Sequence, residues 1–193
     1  THTHTQRMEG KGYTQDGTVD LRGRPVLASR TGRWKACSFL LGYEAFERMA
    51  FYGVASNLVV YLTTQLHENT VTSVRNVNNW SGSVWITPIL GAYIADTYFG
   101  RFWTFTVSAL VYVLGMALLT LAVSVKSLRP PCVNGVCSRA TPSQIAFFYS
   151  SLYIIAVGAG GTKPNISTFG ADQFDDLEPR EKQLKASFFN WWM

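Results

Sequence analysis

From Phe102 to Val125 the chain runs for 24 residues without a charged side chain. As a helix rising 1.5 Å per residue, a run of that length crosses the roughly 30 Å hydrocarbon layer of a bilayer. Helices of soluble domains are typically shorter, about 8–20 residues, and carry a polar face. Three more apolar runs stand at about 36–66, 79–98 and 144–170, and a fifth begins near 186. The pattern predicts an all-α membrane protein with four full transmembrane helices and the start of a fifth. Residues 1–35 form a separate polar tail, and residues 36–193 the membrane part.

The tail holds Arg7, Lys11, Arg22, Arg24, Arg30, Arg33 and Lys35 and reads as flexible. The first apolar run starts too far in, and runs too long, for a cleavable signal peptide. The opening at Thr1, with Met8 as an alternative start, and the close at Trp191-Trp192-Met193 lead to the expectation of a fragment. With the tail in the cytoplasm, Arg101, Arg180, Lys182 and Lys185 also lie inside, and only Arg75, Lys126, Arg129 and Arg139 lie outside. That asymmetry satisfies the positive-inside rule.

Cys132 and Cys137 flank Val133-Asn134-Gly135-Val136, whose Asn-Gly pair is a tight-turn signal. In an outside, oxidising loop they are candidates for a disulfide. Free thiols are the alternative, and a zinc site lacks partner ligands. Cys37 reads as a small apolar residue. Neither Asn79-Trp80-Ser81 nor Asn165-Ile166-Ser167 is a good glycosylation acceptor, because both abut or enter the membrane.

The first run carries Glu44, Glu47 and Arg48. Each charge in hydrocarbon costs upward of about 2.5 kcal/mol, and such groups mark functional sites by default. Their i, i+3, i+4 spacing puts them on one face, with one negative charge in excess. Lys163 in the fourth run lies at similar depth and can supply a cation if the first and fourth helices are neighbours. A carboxylate out of water favours its neutral form, and a nearby cation favours the charged one. Moving the cation therefore moves a proton, which outlines proton coupling. The alternative is a static buried network that fixes packing.

Other signals are weaker. Gly158 to Lys163 does not match phosphate-loop spacing and reads as small residues for close helix contact. Pro88 and Pro164 sit inside their helices. Asp96, Gly100 and Arg101 mark a tight cytoplasmic turn, a candidate gating loop. Arg101-Phe102-Trp103-Thr104 has a kinase-like spacing. The charged stretch from Asp172 to Lys185 reads as a solvated connection. The third run, uncharged throughout, reads as lipid-facing.

Glu44-Ala45-Phe46-Glu47-Arg48 resembles the E-x-x-E-R motif of the proton-dependent oligopeptide transporters, within the major facilitator superfamily. Gly91 to Arg101 resembles the superfamily's loop between its second and third helices. Gly160-Gly161-Thr162-Lys163-Pro164-Asn165 through Phe169-Gly170-Ala171-Asp172-Gln173-Phe174 resembles the family's fourth-helix signature. Trp34-Lys35-Ala36-Cys37 and Ser187 to Trp192 resemble the plant nitrate/peptide branch. The resemblance implies a twelve-helix fold with alternating access between two halves. It implies proton coupling by Glu44, Glu47 and Arg48, with Lys163 as their partner. Tyr52, Arg48 and Lys163 become substrate-cavity candidates. Phe51 stands where peptide-transporting relatives often carry a first tyrosine, and Ala55 where they carry a base, which weakens peptide as substrate.

The expected function is proton-coupled symport of nitrate, di- or tripeptides or a related plant metabolite. The competing readings are a pH-independent uniporter and a membrane organiser without transport. No enzymatic activity, cofactor or metal is expected beyond the co-transported proton. The expected partners are membrane lipid and a small-molecule substrate, not nucleic acid, in a multi-pass protein of the plasma or vacuolar membrane with a cytoplasmic N-terminus.

Overall fold

The computed structural model describes residues 12–14, 19, 20, 22–133 and 136–192. Five longer helices follow in order: α1 (Arg33–Thr64), α2 (Thr70–Ile94), α3 (Gly100–Ser124), α4 (Pro142–Ala171) and α5 (Pro179–Trp192). A π-helical turn, Ala95–Phe99, joins α2 to α3. Thr70–Ser124 and Pro142–Ala171 are long and apolar enough to cross a membrane by length and composition. The chain divides into two compact units, residues 47–166 and residues 1–46 with 167–193.

In the first unit, Leu58 and Leu62 stand on one face of α1 at i, i+4 spacing, and Leu66 follows just past its end. They pack in one core with Trp80 and Val84 of α2, Tyr112, Leu119 and Ala122 of α3, and Phe148, Leu152 and Ile155 of α4. Tyr61 stacks on Phe148 with ring centres 5.1 Å apart. Hence α1 and α4 are neighbours, as the meeting of their charges requires.

The small-residue reading of Gly158–Gly161 holds. A Cβ on Gly158 would stand 2.5 Å from the Tyr112 backbone nitrogen, and one on Gly160 2.5 Å from Thr87 Cβ. A Cβ on Gly91 would fall 2.2 Å from the Gly160 carbonyl oxygen. Close approach then lets α2 bond to the α4 backbone: Trp80 Nε1 donates to Leu152 O at 2.8 Å, and Thr87 Oγ1 to Ala156 O at 3.0 Å. Such bonds across helices are worth about 0.6–2 kcal/mol each in a membrane.

Helix α2 starts well before the expected residue 79. Asn69 caps it, its side chain accepting the Val71 N–H at 2.9 Å. The residues that follow Asn69 are mostly polar, so no apolar run marks this part of the helix in the sequence. Their helix faces inward through Ser73, buried ahead of Trp80, Val84 and Gly91 at helical spacing. The Asn79-Trp80-Ser81 sequon therefore lies inside the helix.

In the second unit, α5 begins at Pro179, not near 186. Proline suits the first turn, where its missing N–H has no partner to lose. The stretch read as a solvated connection holds buried Asp175 and Glu181. Cys37, Phe174 and Phe188 pack beside it, with Trp34, Leu41, Leu184 and Trp192 around them. Cys37 Sγ donates to Gly170 O at 3.4 Å.

Part of the tail read as flexible is ordered. Tyr13 pairs with Leu27 and Val19 with Pro25, and a 3₁₀ turn spans Ala28–Arg30.

Between α3 and α4, strands Cys132–Val133 and Val136–Cys137 pair antiparallel, with Cys132 opposite Cys137. The disulfide expectation concerns side chains that lie outside the described residues.

Candidate functional site

Glu47 and Arg48 share helix α1 with Glu44. Glu47 is only 4 % exposed, Arg48 is exposed and Glu44 half-buried. The Tyr112 hydroxyl of α3 donates to the Glu47 carbonyl at 3.4 Å, so α3 packs directly on this turn.

Lys163 reaches α1 from α4. Its ammonium stands 4.3 Å from the centre of the Phe51 ring and 5.6 Å from that of Trp85. Phe51 is four residues on from Glu47, so Lys163 meets α1 one turn along the face that carries Glu47. Among the described residues Lys163 makes no ion pair. Lys163 meets α1 through a cation held over an aromatic ring, with a second ring from α2 beside it. Searching for opposite charge could not find Phe51, Trp85 or Trp80. The one legible hint was an aromatic residue at i+4 from Glu47.

Phe51 is itself held. It stacks on Trp80 at 5.4 Å and 28°. Tyr52, the cavity candidate, is 65 % exposed and meets Phe51 edge-on at 5.6 Å.

In the candidate gating loop, Arg101 Nε stands 3.6 Å from Asp96 Oδ1, and both side chains are exposed. Gly100 turns the chain with φ 74° and ψ 160°.

A second polar cluster escaped the sequence. The Tyr149 hydroxyl of α4 donates to Glu68 Oε2 at 2.9 Å, and Asn76 Nδ2 of α2 donates to that hydroxyl at 2.9 Å. The three residues tie the α1–α2 connection to the start of α4.

Residues 102–193 match the POT family. The chain is 78 % identical over 183 residues to Protein NRT1/PTR FAMILY 5.1 of Arabidopsis thaliana, covering 95 % of this chain and 31 % of the relative. It is 60 % identical over 188 residues to Protein NRT1/PTR FAMILY 5.3 of Arabidopsis thaliana, covering 95 % and 32 %. It aligns with the plant NRT1/PTR members and spans about a third of their length. A crystal structure of a peptide transporter POT, in complex with sulfate, superposes with a TM-score of 0.63 at 19 % identity, over 97 % of this chain and 32 % of that one. The chain thus shares the fold of that structure over about a third of that structure's length.

Proposed function

We propose that the protein is a proton-coupled symporter for nitrate, di- or tripeptides or a related small metabolite, and that it acts by transport rather than catalysis. One observation carries the reading. Glu47 is buried beside Arg48 on a charged turn of α1, and α4 delivers the ammonium of Lys163 one turn away on the same face. Buried ionisable groups at membrane depth mark ion and proton paths. A carboxylate there gains a proton when no cation is near and releases it when one approaches. A negative substrate that draws Lys163 or Arg48 would link its own binding to that proton. The similarity to NRT1/PTR proteins and to a solved peptide transporter supports the substrate classes. By the resemblance to peptide-transporting relatives, Phe51 in place of a first tyrosine and Ala55 in place of a base weaken peptide as the substrate.

The test is substrate-evoked current in oocytes expressing the full-length protein, with nitrate and a dipeptide at acidic and neutral external pH. Inward current that grows with acidity, and is lost in Glu47→Gln and Lys163→Ala, is the expected result. Uptake indifferent to pH, with both variants active, would make the charges a packing network and the protein a uniporter.

A further inference from the structure

We propose that Phe51 is a positioning residue for Lys163: its ring face, backed by Trp80, holds the ammonium at one place beside α1, where the negative group of a substrate meets it. The proposal rests on the transport reading above and adds the residue that decides where the cation stands.

The contacts form a closed circuit. Lys163 on α4 lies over Phe51 on α1 at 4.3 Å. Phe51 stacks on Trp80 of α2 at 5.4 Å. Trp80 is 1 % exposed, and its indole N–H returns to α4 at Leu152 O, 2.8 Å away. Leu152 precedes Lys163 by 11 residues, about three turns of the same helix. The ring that receives the cation is therefore fixed by the helix that supplies it. Trp85, at 5.6 Å, offers a second and more distant ring.

A ring face attracts an ammonium through its quadrupole, most strongly where water is scarce. The ammonium has three N–H donors. A ring on one side leaves the other side open to an anion. Lysine carries a long flexible stem with high rotamer entropy. A cation already held in place loses less freedom when a substrate arrives, so the substrate binds more tightly. Leucine at position 51 would keep apolar bulk but present no negative face. Tyrosine would keep the face.

The full-length protein in nanodiscs, with lysines carrying ¹³C-dimethyl labels, gives a direct readout. Dimethylation keeps the charge, and Lys163→Arg identifies the Lys163 signal by its loss. Ring shielding should place that signal upfield of the other lysines in the wild type and in Phe51→Tyr. In Phe51→Leu it should rejoin them. Trifluorophenylalanine at position 51 keeps the ring's shape while cancelling its quadrupole, and should also move the signal toward the others. In oocytes, with nitrate and glycyl-alanine as probes, the half-saturating concentration should rise about two- to thirty-fold in Phe51→Leu and in the trifluoro variant. Phe51→Tyr should stay near wild type, and maximal current should be kept in all three. A Lys163 signal that is unshifted in the wild type, or indifferent to both Phe51→Leu and fluorination, overturns the proposal whether or not either probe evokes current. A trifluoro variant with wild-type half-saturation also overturns it, since shape alone would then suffice. Current that ignores external pH strikes the symport reading and leaves the Phe51 result standing.

Discussion

Glu181 of α5 and Arg33 at the start of α1 are joined by an ion pair of 2.5 Å, with the Glu181 side chain 3 % exposed and that of Arg33 43 % exposed. The second Glu181 oxygen accepts the Asp175 N–H at 2.7 Å. One buried carboxylate thus holds the first turn of α1 and the turn that precedes α5. Removing one partner of a buried pair leaves a charge without its counterpart and costs about 3–5 kcal/mol, less where a partner sees water. With Arg33 partly exposed, we expect Glu181→Gln to lower stability by about 1–3 kcal/mol. Thermal unfolding of the purified full-length protein measures it. In a double-mutant cycle with Arg33→Gln, the double variant should lose less than the sum of the singles. Simple additivity would show that the pair does not couple the two segments.

The α2–α4 contact predicts a sharp contrast among glycines. A Cβ at Gly91 would fall 2.2 Å from a backbone oxygen, whereas one at Gly82 of the same helix meets nothing within 4 Å. Backbone cannot rotate away as a side chain can. We expect Gly91→Ala to cost about 1–3 kcal/mol by overpacking. Gly82→Ala should be neutral or gain up to about 1 kcal/mol from helix propensity. Equal melting temperatures for the two variants would contradict the close approach of α2 and α4.

Much of the fold was legible because hydrocarbon imposes one simple demand, an apolar run of sufficient length. Helices α3 and α4 start within two residues of their expected positions. The beginnings of α2 and α5 were hidden for the same reason that made α3 plain. Their first turns are polar, and they are helical because Asn69 caps one and Glu181 anchors the other. Charge in an apolar run pointed to Glu47, Arg48 and Lys163, and the α1–α4 neighbourhood that brings them near is present. The ring beneath Lys163 was out of reach, since phenylalanine in a membrane helix looks like any other apolar residue. The Tyr149–Glu68 bond joins residues 81 positions apart, beyond any local pattern.

That bond carries its own prediction. Tyr149 donates to Glu68 and accepts from Asn76, both at 2.9 Å, in half-buried surroundings. Hydrogen bonds to charged groups contribute about 1.5–3 kcal/mol when shielded from water, and less here. We expect Tyr149→Phe to lower stability by about 1 kcal/mol and Glu68→Gln by less, because an amide oxygen still accepts. The double variant should match Tyr149→Phe alone. Amide exchange over residues 66–76 should quicken in both single variants. Unchanged exchange would mean that the cluster does not hold the α1–α2 connection.

The turn between α2 and α3 separates backbone need from side-chain role. Gly100 adopts φ 74° and ψ 160°, a region that residues with a Cβ rarely enter. A Cβ there would meet nothing within 4 Å, so any penalty belongs to the backbone alone. We expect Gly100→Ala to cost about 1–3 kcal/mol of stability. The Asp96–Arg101 pair is 3.6 Å long and exposed on both sides. Exposed pairs contribute about 0–1 kcal/mol, so Asp96→Asn should leave the melting temperature close to wild type. The same variant tests the gate. If Asp96 only closes its own turn, substrate-evoked current in the full-length protein should also stay near wild type. If Asp96 latches a neighbouring helix during the cycle, current should change several-fold at unchanged stability. Loss of stability in Asp96→Asn, matching that of Gly100→Ala, would show that the carboxylate shapes the turn after all.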